Sequence, residues 1–97
     1  MTSKQRAYLR SLSSKLEPVF QVGKNGVTPE MVTSVDEALE ARELIKGTVL
    51  NNCLEDIHDI AETLGARTRS EVVQIIGKKI VLFRPSKKKP VIDITTI

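Results

Sequence analysis

The chain is predicted to be α/β, a small mixed sheet of about four strands packed against three helices in the order α-β-α-β-α-β-β. Three observations carry that expectation. Apolar residues recur at helical spacing in three segments, β-branched and apolar runs lie between and after them, and Gly or Pro marks most of the junctions. With 97 residues, 40% of them apolar and only 5 Gly and 4 Pro, the chain has the makings of one folded unit with a modest core.

The first helix is announced by Thr2 with Gln5 three residues on, a capping-box pattern, followed by Tyr8, Leu9, Leu12 and Leu16 at helical spacing. Lys4, Arg6 and Arg10 fall off that stripe. Arg6 and Arg10 form an i,i+4 like-charge pair, read either as a solvated face or as a pair bridged by an anion. Pro18 stops the helix, and Val19-Phe20-Gln21-Val22 reads as a short strand running into Gly23-Lys24-Asn25-Gly26.

Thr28 and Pro29 signal the start of a second helix, whose apolar stripe is Met31, Val32, Val35, Ala38 and Leu39. Its outer face is acidic, with Asp36, Glu37, Glu40 and Glu43 expected to point away from any nucleic acid. A second strand follows over residues 43–50, where Gly47 either weakens the strand or marks a bulge. Leu54, Ile57, Ile60, Ala61 and Leu64 define a third helix, with Glu55 and Asp56 in its first turn and Gly65 at its end. Residues 71–76 and 80–83 read as a hairpin with a basic tip at Gly77-Lys78-Lys79. Residues 1–88 are expected to form the domain, and residues 89–97 either a tail or a short edge strand.

Charge is segregated along the chain. Residues 1–26 carry Lys4, Arg6, Arg10, Lys15 and Lys24 against Glu17 alone, and residues 66–97 carry eight basic residues against Glu71 and Asp93. Residues 27–65 hold nine acidic residues against Arg42 and Lys46. If the basic ends meet in the fold, they form a positive face backed by a negative one, which suits a protein that orients on nucleic acid.

Several chemistries find no support. A single cysteine, Cys53, excludes an internal disulfide and a Cys-based zinc site and is read as a small half-buried residue in a reducing, cytoplasmic setting. Glu55-x-x-His58 has the i,i+3 spacing of di-iron carboxylate sites, but those need a second such pair and the chain has 1 His. The same lone histidine leaves no nucleophilic dyad or triad. The start of the chain has no apolar signal core, and no apolar run is long enough to span a bilayer, so no membrane partner is expected. No catalytic residue, metal or cofactor is expected.

The Gly-x-x-Gly turn is neither a Walker loop nor a dinucleotide fingerprint. Its glycines allow unusual backbone angles and close approach by a ligand, Lys24 adds charge, and the capped helix after it aims a positive dipole end at the same place. That combination suits a phosphate chain, although in KH modules the comparable loop joins two helices rather than a strand and a helix.

Several strings together resemble one family. They are Thr2-Ser3-Lys4-Gln5-Arg6-Ala7-Tyr8-Leu9-Arg10, Pro18-Val19, Gln21 through Thr28, Glu43-Leu44-Ile45-Lys46, Gln74 through Lys78, and Leu82-Phe83-Arg84-Pro85. Over about residues 2–88 the sequence is similar to the YhbY-type CRM domain. The resemblance implies a stand-alone bacterial RNA-binding protein associated with precursors of the large ribosomal subunit. It also implies a fold like the C-terminal domain of translation initiation factor three, with residues 23–26 as the RNA-contacting loop. The sequence departs from the family pattern at Ser14 and Lys15, where a histidine often stands nearby, at Arg42 in place of a usual His, and at Gly47 in place of a β-branched residue.

Only Tyr8, Phe20 and Phe83 are aromatic, too few for a base-stacking platform, so structured RNA is expected to be bound by shape and charge. The expected contacts are the backbone of Gly23, Lys24, Asn25 and Gly26, with Lys4, Arg6, Arg10, Lys78, Arg84 and Lys87 widening the footprint. Asn25 either touches RNA or supports the turn. The expected partners are large-subunit ribosomal RNA and pre-ribosomal particles, not DNA, and the chain is expected to act as a monomer. The alternative is a protein-interaction adaptor that docks ribosomal proteins through its acidic helices.

Overall fold

A computed structural model describes residues 1–97. The elements, in order, are α1 (Ser3–Ser13), β1 (Pro18–Val22), α2 (Pro29–Arg42), β2 (Leu44–Val49), α3 (Ile57–Thr68), β3 (Glu71–Ile76) and β4 (Lys79–Phe83). The expected order of three helices and four strands is the observed one. The strands form a single sheet in the order β1-β2-β4-β3, with β1 parallel to β2 and the other neighbours antiparallel.

Local signals set several boundaries. Thr2 Oγ1 accepts from the Gln5 amide at 3.1 Å while Gln5 Oε1 accepts from the Thr2 amide at 2.8 Å, closing the capping box on α1. Each such cap contributes about 1 kcal/mol. Thr28 Oγ1 caps α2 by accepting from the Met31 amide at 3.2 Å, with Pro29 in the first helical position. The third helix differs from the expectation at both ends. Asp56 is its cap, accepting from the His58 amide at 2.7 Å, so Glu55 and Asp56 precede the first turn rather than occupy it. Leu54 is 95% exposed and lies outside the helix's buried stripe. At the other end the helix runs past Gly65 to Thr68 and closes on Arg69 with φ 57. Gly65 lies inside the helix, where a β-carbon would come within 3.2 Å of the Ser70 carbonyl.

The sheet is covered on both faces, but unequally. On one face α2 and α3 bury Val35, Leu39, Ile60 and Leu64 against Val22, Ile45, Val49, Ile80 and Leu82. Each of these fully buried aliphatic side chains contributes about 2 kcal/mol. On the other face α1 packs Leu9 against Leu44, Val73, Val81 and Phe83, with Ile92 and Ile94 of the C-terminal segment alongside. Residues 89–97 form no strand. They lie across the α1 side as an irregular segment, with Gln5 Nε2 donating to the Ile94 carbonyl at 2.9 Å. The two ends of the chain therefore meet.

Gly47 is not at a bulge in β2. It pairs with Phe20, whose ring fills the space a side chain at position 47 would take, and the register irregularity lies in β1 between Pro18 and Phe20. A large ring over a strand glycine restores the cover that the glycine lacks.

Candidate functional site

Parallel pairing sets Val22 of β1 beside Val49 of β2, and the Val49 amide donates to the Lys78 carbonyl at 2.8 Å. The turn at residues 23–26 and the hairpin tip at Gly77 and Lys78 therefore sit at the same end of the sheet. Leu44, Phe83 and Glu71 mark the opposite end. The five steps of β2 separate the two ends by about 17 Å.

In the turn, the Gly26 amide donates to the Gly23 carbonyl at 3.0 Å. That bond corrects one expectation, because the buried Gly26 amide is used within the turn and is not offered to a ligand. Lys24 and Asn25, at the tip, are exposed, and their amides donate to no other backbone group. Only one of the two glycines is required by its backbone: Gly26 has φ 63, whereas Gly23 needs no left-handed conformation and would meet only ordinary contacts if it carried a β-carbon. The Asn25 side chain makes no hydrogen bond, so it does not brace the turn in this way.

The segment after β2 walls the turn, a feature that sequence reasoning missed. Asn52 faces Gly23 and the Glu55 carboxylate stands over Gly26. Glu55 is expected in the first turn of the third helix and Asn52 carries no sequence signal, since no local pattern marks a pairing across about thirty positions.

The remaining expected contacts separate into three groups. Lys4 and Arg10 on α1 and Lys78 at the hairpin tip are exposed. Arg6 is half-buried, and its Nη1 donates to the carbonyls of Val72 and Val73, the latter at 3.0 Å, so it ties α1 to β3 rather than standing free. Arg84 departs furthest from the expectation. Only 8% exposed, it donates through Nη1 to Asp36 Oδ1 and to the Thr68 carbonyl at 2.7 Å, and pairs through Nη2 with Glu40 at 3.6 Å. Its Nε is buried without a partner. Arg84 is thus an internal bridge between α2 and the end of α3. Lys87 is exposed, but it belongs to the far end of the sheet and not to the turn.

The acidic residues of α2 are likewise not a free outer face. Glu43, 2% exposed and at φ 67, accepts from the amides of Ser86 at 2.7 Å and of Val91 and Ile92, each at 2.8 Å. Burial pushes its carboxyl up, but the amides of Ser86, Ile92 and Val91 outweigh that effect and leave it below the ordinary value. Glu40 accepts from the Ser86 hydroxyl at 2.7 Å and from the Lys87 amide at 3.1 Å, which hold its carboxyl low as well. Residues 86–92 are strapped to the end of α2 by these two carboxylates. Glu37 remains exposed.

His58 Nδ1 lies 3.2 Å from Asp56 Oδ1, and no group of three or more His, Cys, Asp or Glu side chains is placed to hold a metal. Phe83 is buried, Phe20 covers Gly47, and Tyr8 lies beside Leu12 and Val91, so the three rings form no common platform. No helix is long and apolar enough to cross a membrane.

The CRS1 / YhbY (CRM) domain model matches residues 1–84. The sequence is 51% identical to the probable RNA-binding protein YqeI of Bacillus subtilis, over 97% of this chain and 98% of that protein. It is 34% identical to an RNA-binding protein of Haemophilus influenzae, over 91% and 89% of the two chains. In three dimensions it is similar to the solution structure of the hypothetical protein SAV1595 from Staphylococcus aureus, with a TM-score of 0.77 at 50% identity, covering 91% of this chain and 92% of that one.

Proposed function

Because the chain belongs to the CRS1 / YhbY (CRM) domain family, we propose that it is a non-catalytic RNA-binding protein that grips structured ribosomal RNA at the turn of residues 23–26 and assists assembly of the large ribosomal subunit. The observation that supports this reading most strongly is the exposed tip of that turn. Lys24 and Asn25 present two unengaged amides and one ammonium beside the capped start of α2, where the helix dipole favours an anion. Phosphate oxygens match that donor set, and the absence of an aromatic platform favours backbone contacts over base reading.

Within this reading Lys24 supplies charge, the Lys24 and Asn25 amides hold a phosphate, and the Asn25 side chain contacts RNA. Lys4, Arg10 and Lys78 extend the surface, while Lys87 contributes only general attraction from the far end. The protein acts as a cytoplasmic monomer on RNA rather than DNA. The adaptor alternative is less favoured because the carboxylates of Asp36, Glu40 and Glu43 are already engaged in intramolecular bonds.

Crosslinking in cells tests the proposal. RNA covalently attached to the protein should map to large-subunit ribosomal RNA, and Lys24→Glu should remove both the crosslinks and co-sedimentation with large-subunit precursors. Retained association of Lys24→Glu, combined with loss on charge reversal at Glu37, would favour the adaptor instead.

A further inference from the structure

Burial along the strands shows that α1 covers only half of its face of the sheet. At the end marked by Leu44, Val81 and Phe83 this face is closed by Leu9 and the C-terminal segment. Toward the glycine turn the side chains on the same face are Gln21, Lys46, Thr48, Gln74, Ile76 and Lys79, all exposed or half-buried. Alternation places them together: Lys46 and Thr48 follow Leu44 at two-residue steps, and Thr48 pairs with Lys79 across the β2–β4 ladder. The opposite face has no such opening, since α2 and α3 reach Val22, Val49 and Ile80.

The uncovered half is polar and positively charged. Lys79 Nζ donates to Thr48 Oγ1 at 3.1 Å, which fixes the ammonium over the strands instead of letting it swing into solvent. Neither Lys46 nor Lys79 forms an ion pair, and the one carboxylate among the strand residues of this face, Glu71, lies at the far end opposite Phe83. With no carboxylate paired to them, these two lysines are left to attract an external anion. The patch also runs directly into Lys24 through Gln21 and into the hairpin tip through Lys79.

Resting on the reading of this chain as an RNA-binding protein, we infer that the open half of the sheet, with Lys46 and Lys79 as its phosphate contacts, is a second RNA surface continuous with the glycine turn. RNA gripped at Lys24 then continues across the sheet toward α1, instead of running over the helical side of the molecule. Thr48 is a positioning residue in this arrangement and acts through Lys79.

The test uses a large-subunit ribosomal RNA fragment with the full chain, compared across a salt series for wild type, Lys46→Gln/Lys79→Gln, Lys24→Glu and Lys88→Gln/Lys89→Gln. The sheet variant should bind about tenfold more weakly, with the salt slope reduced by about 1.5, because each lost phosphate contact removes roughly 0.7–0.9 from the slope. The variant at 88 and 89 should change the slope less. Amide shifts of the unmodified protein on RNA addition give a readout that needs no variant to fold, and they should include Lys46, Thr48 and Lys79. Unchanged binding by the sheet variant with no shifts on these strands, while Lys24→Glu still weakens binding, would overturn the inference and leave the turn in place. No binding by wild type would overturn both.

Discussion

The carboxylate of Glu55 stands over the α-carbon of Gly26, so that a β-carbon at position 26 would meet Glu55 Cδ at 2.9 Å. Gly26 is thus constrained twice, by this neighbour and by its φ of 63. The acid also gives the turn a negative margin at Gly26, which disfavours entry of a phosphate chain over that residue.

Substitution at the two glycines should therefore have unequal effects. Gly26→Ala should lower stability by about 1–2 kcal/mol, the cost of left-handed backbone at a residue with a side chain, and should weaken RNA binding as the turn rearranges. Gly23→Ala meets only Asn52 and Leu50 at 3.5 and 3.6 Å and should change either property little. Urea melts with parallel binding measurements check this. Equal losses from the two variants would show that Gly23 is also needed for close approach by the ligand.

Arg84 should behave as a structural residue. Arg84→Gln removes the links to Asp36, Glu40 and the Thr68 carbonyl, and should cost about 2 kcal/mol in a urea melt because polar groups near α2 and α3 lose their partner. Its salt slope for RNA should match wild type. Unchanged stability with a shallower slope would return Arg84 to the RNA surface.

The cover of Gly47 by Phe20 makes a sharp packing prediction. Gly47→Val should destabilise by about 1–3 kcal/mol, since the ring has to leave its place. In a double-mutant cycle, Phe20→Ala should reduce that penalty, and additive losses would mean that the two residues are not coupled.

The strap of residues 86–92 should be acid-sensitive. Folding lowers the carboxyls of Glu43 and Glu40 below their value of 4.5, so their stabilising contribution is complete above 4.5 and is lost as pH falls through the lower folded value. Amide resonances of Ser86, Val91 and Ile92 should hold their positions from neutrality down to that point and move together below it. In Glu43→Gln they should be displaced at every pH. A transition in the histidine range would contradict the assignment.

Much of this fold was legible because its signals are local. The Thr2–Gln5 box, the Thr28-Pro29 start of α2 and the Gly77 turn each depend on residues within a few positions of one another, and alternation exposed the strands. What escaped depends on contacts across the chain. Gly65 looks like a helix end, yet the helix runs past it, and a glycine is needed there because a β-carbon would crowd the Ser70 carbonyl and Val72. Arg84 and Glu43 look like surface charges and are buried, because their partners lie more than forty positions away or are backbone groups with no sequence signature. The open half of the sheet was invisible for the same reason: Lys46 and Lys79 become neighbours only through the β2–β4 register.

The most direct measurement for the RNA-binding turn is the affinity of Lys24→Glu for large-subunit ribosomal RNA as a function of salt. Contact between Lys24 and the RNA backbone predicts binding at least about tenfold weaker at low salt, with a slope shallower by close to one phosphate contact. An affinity and slope identical to wild type would remove the turn from RNA recognition.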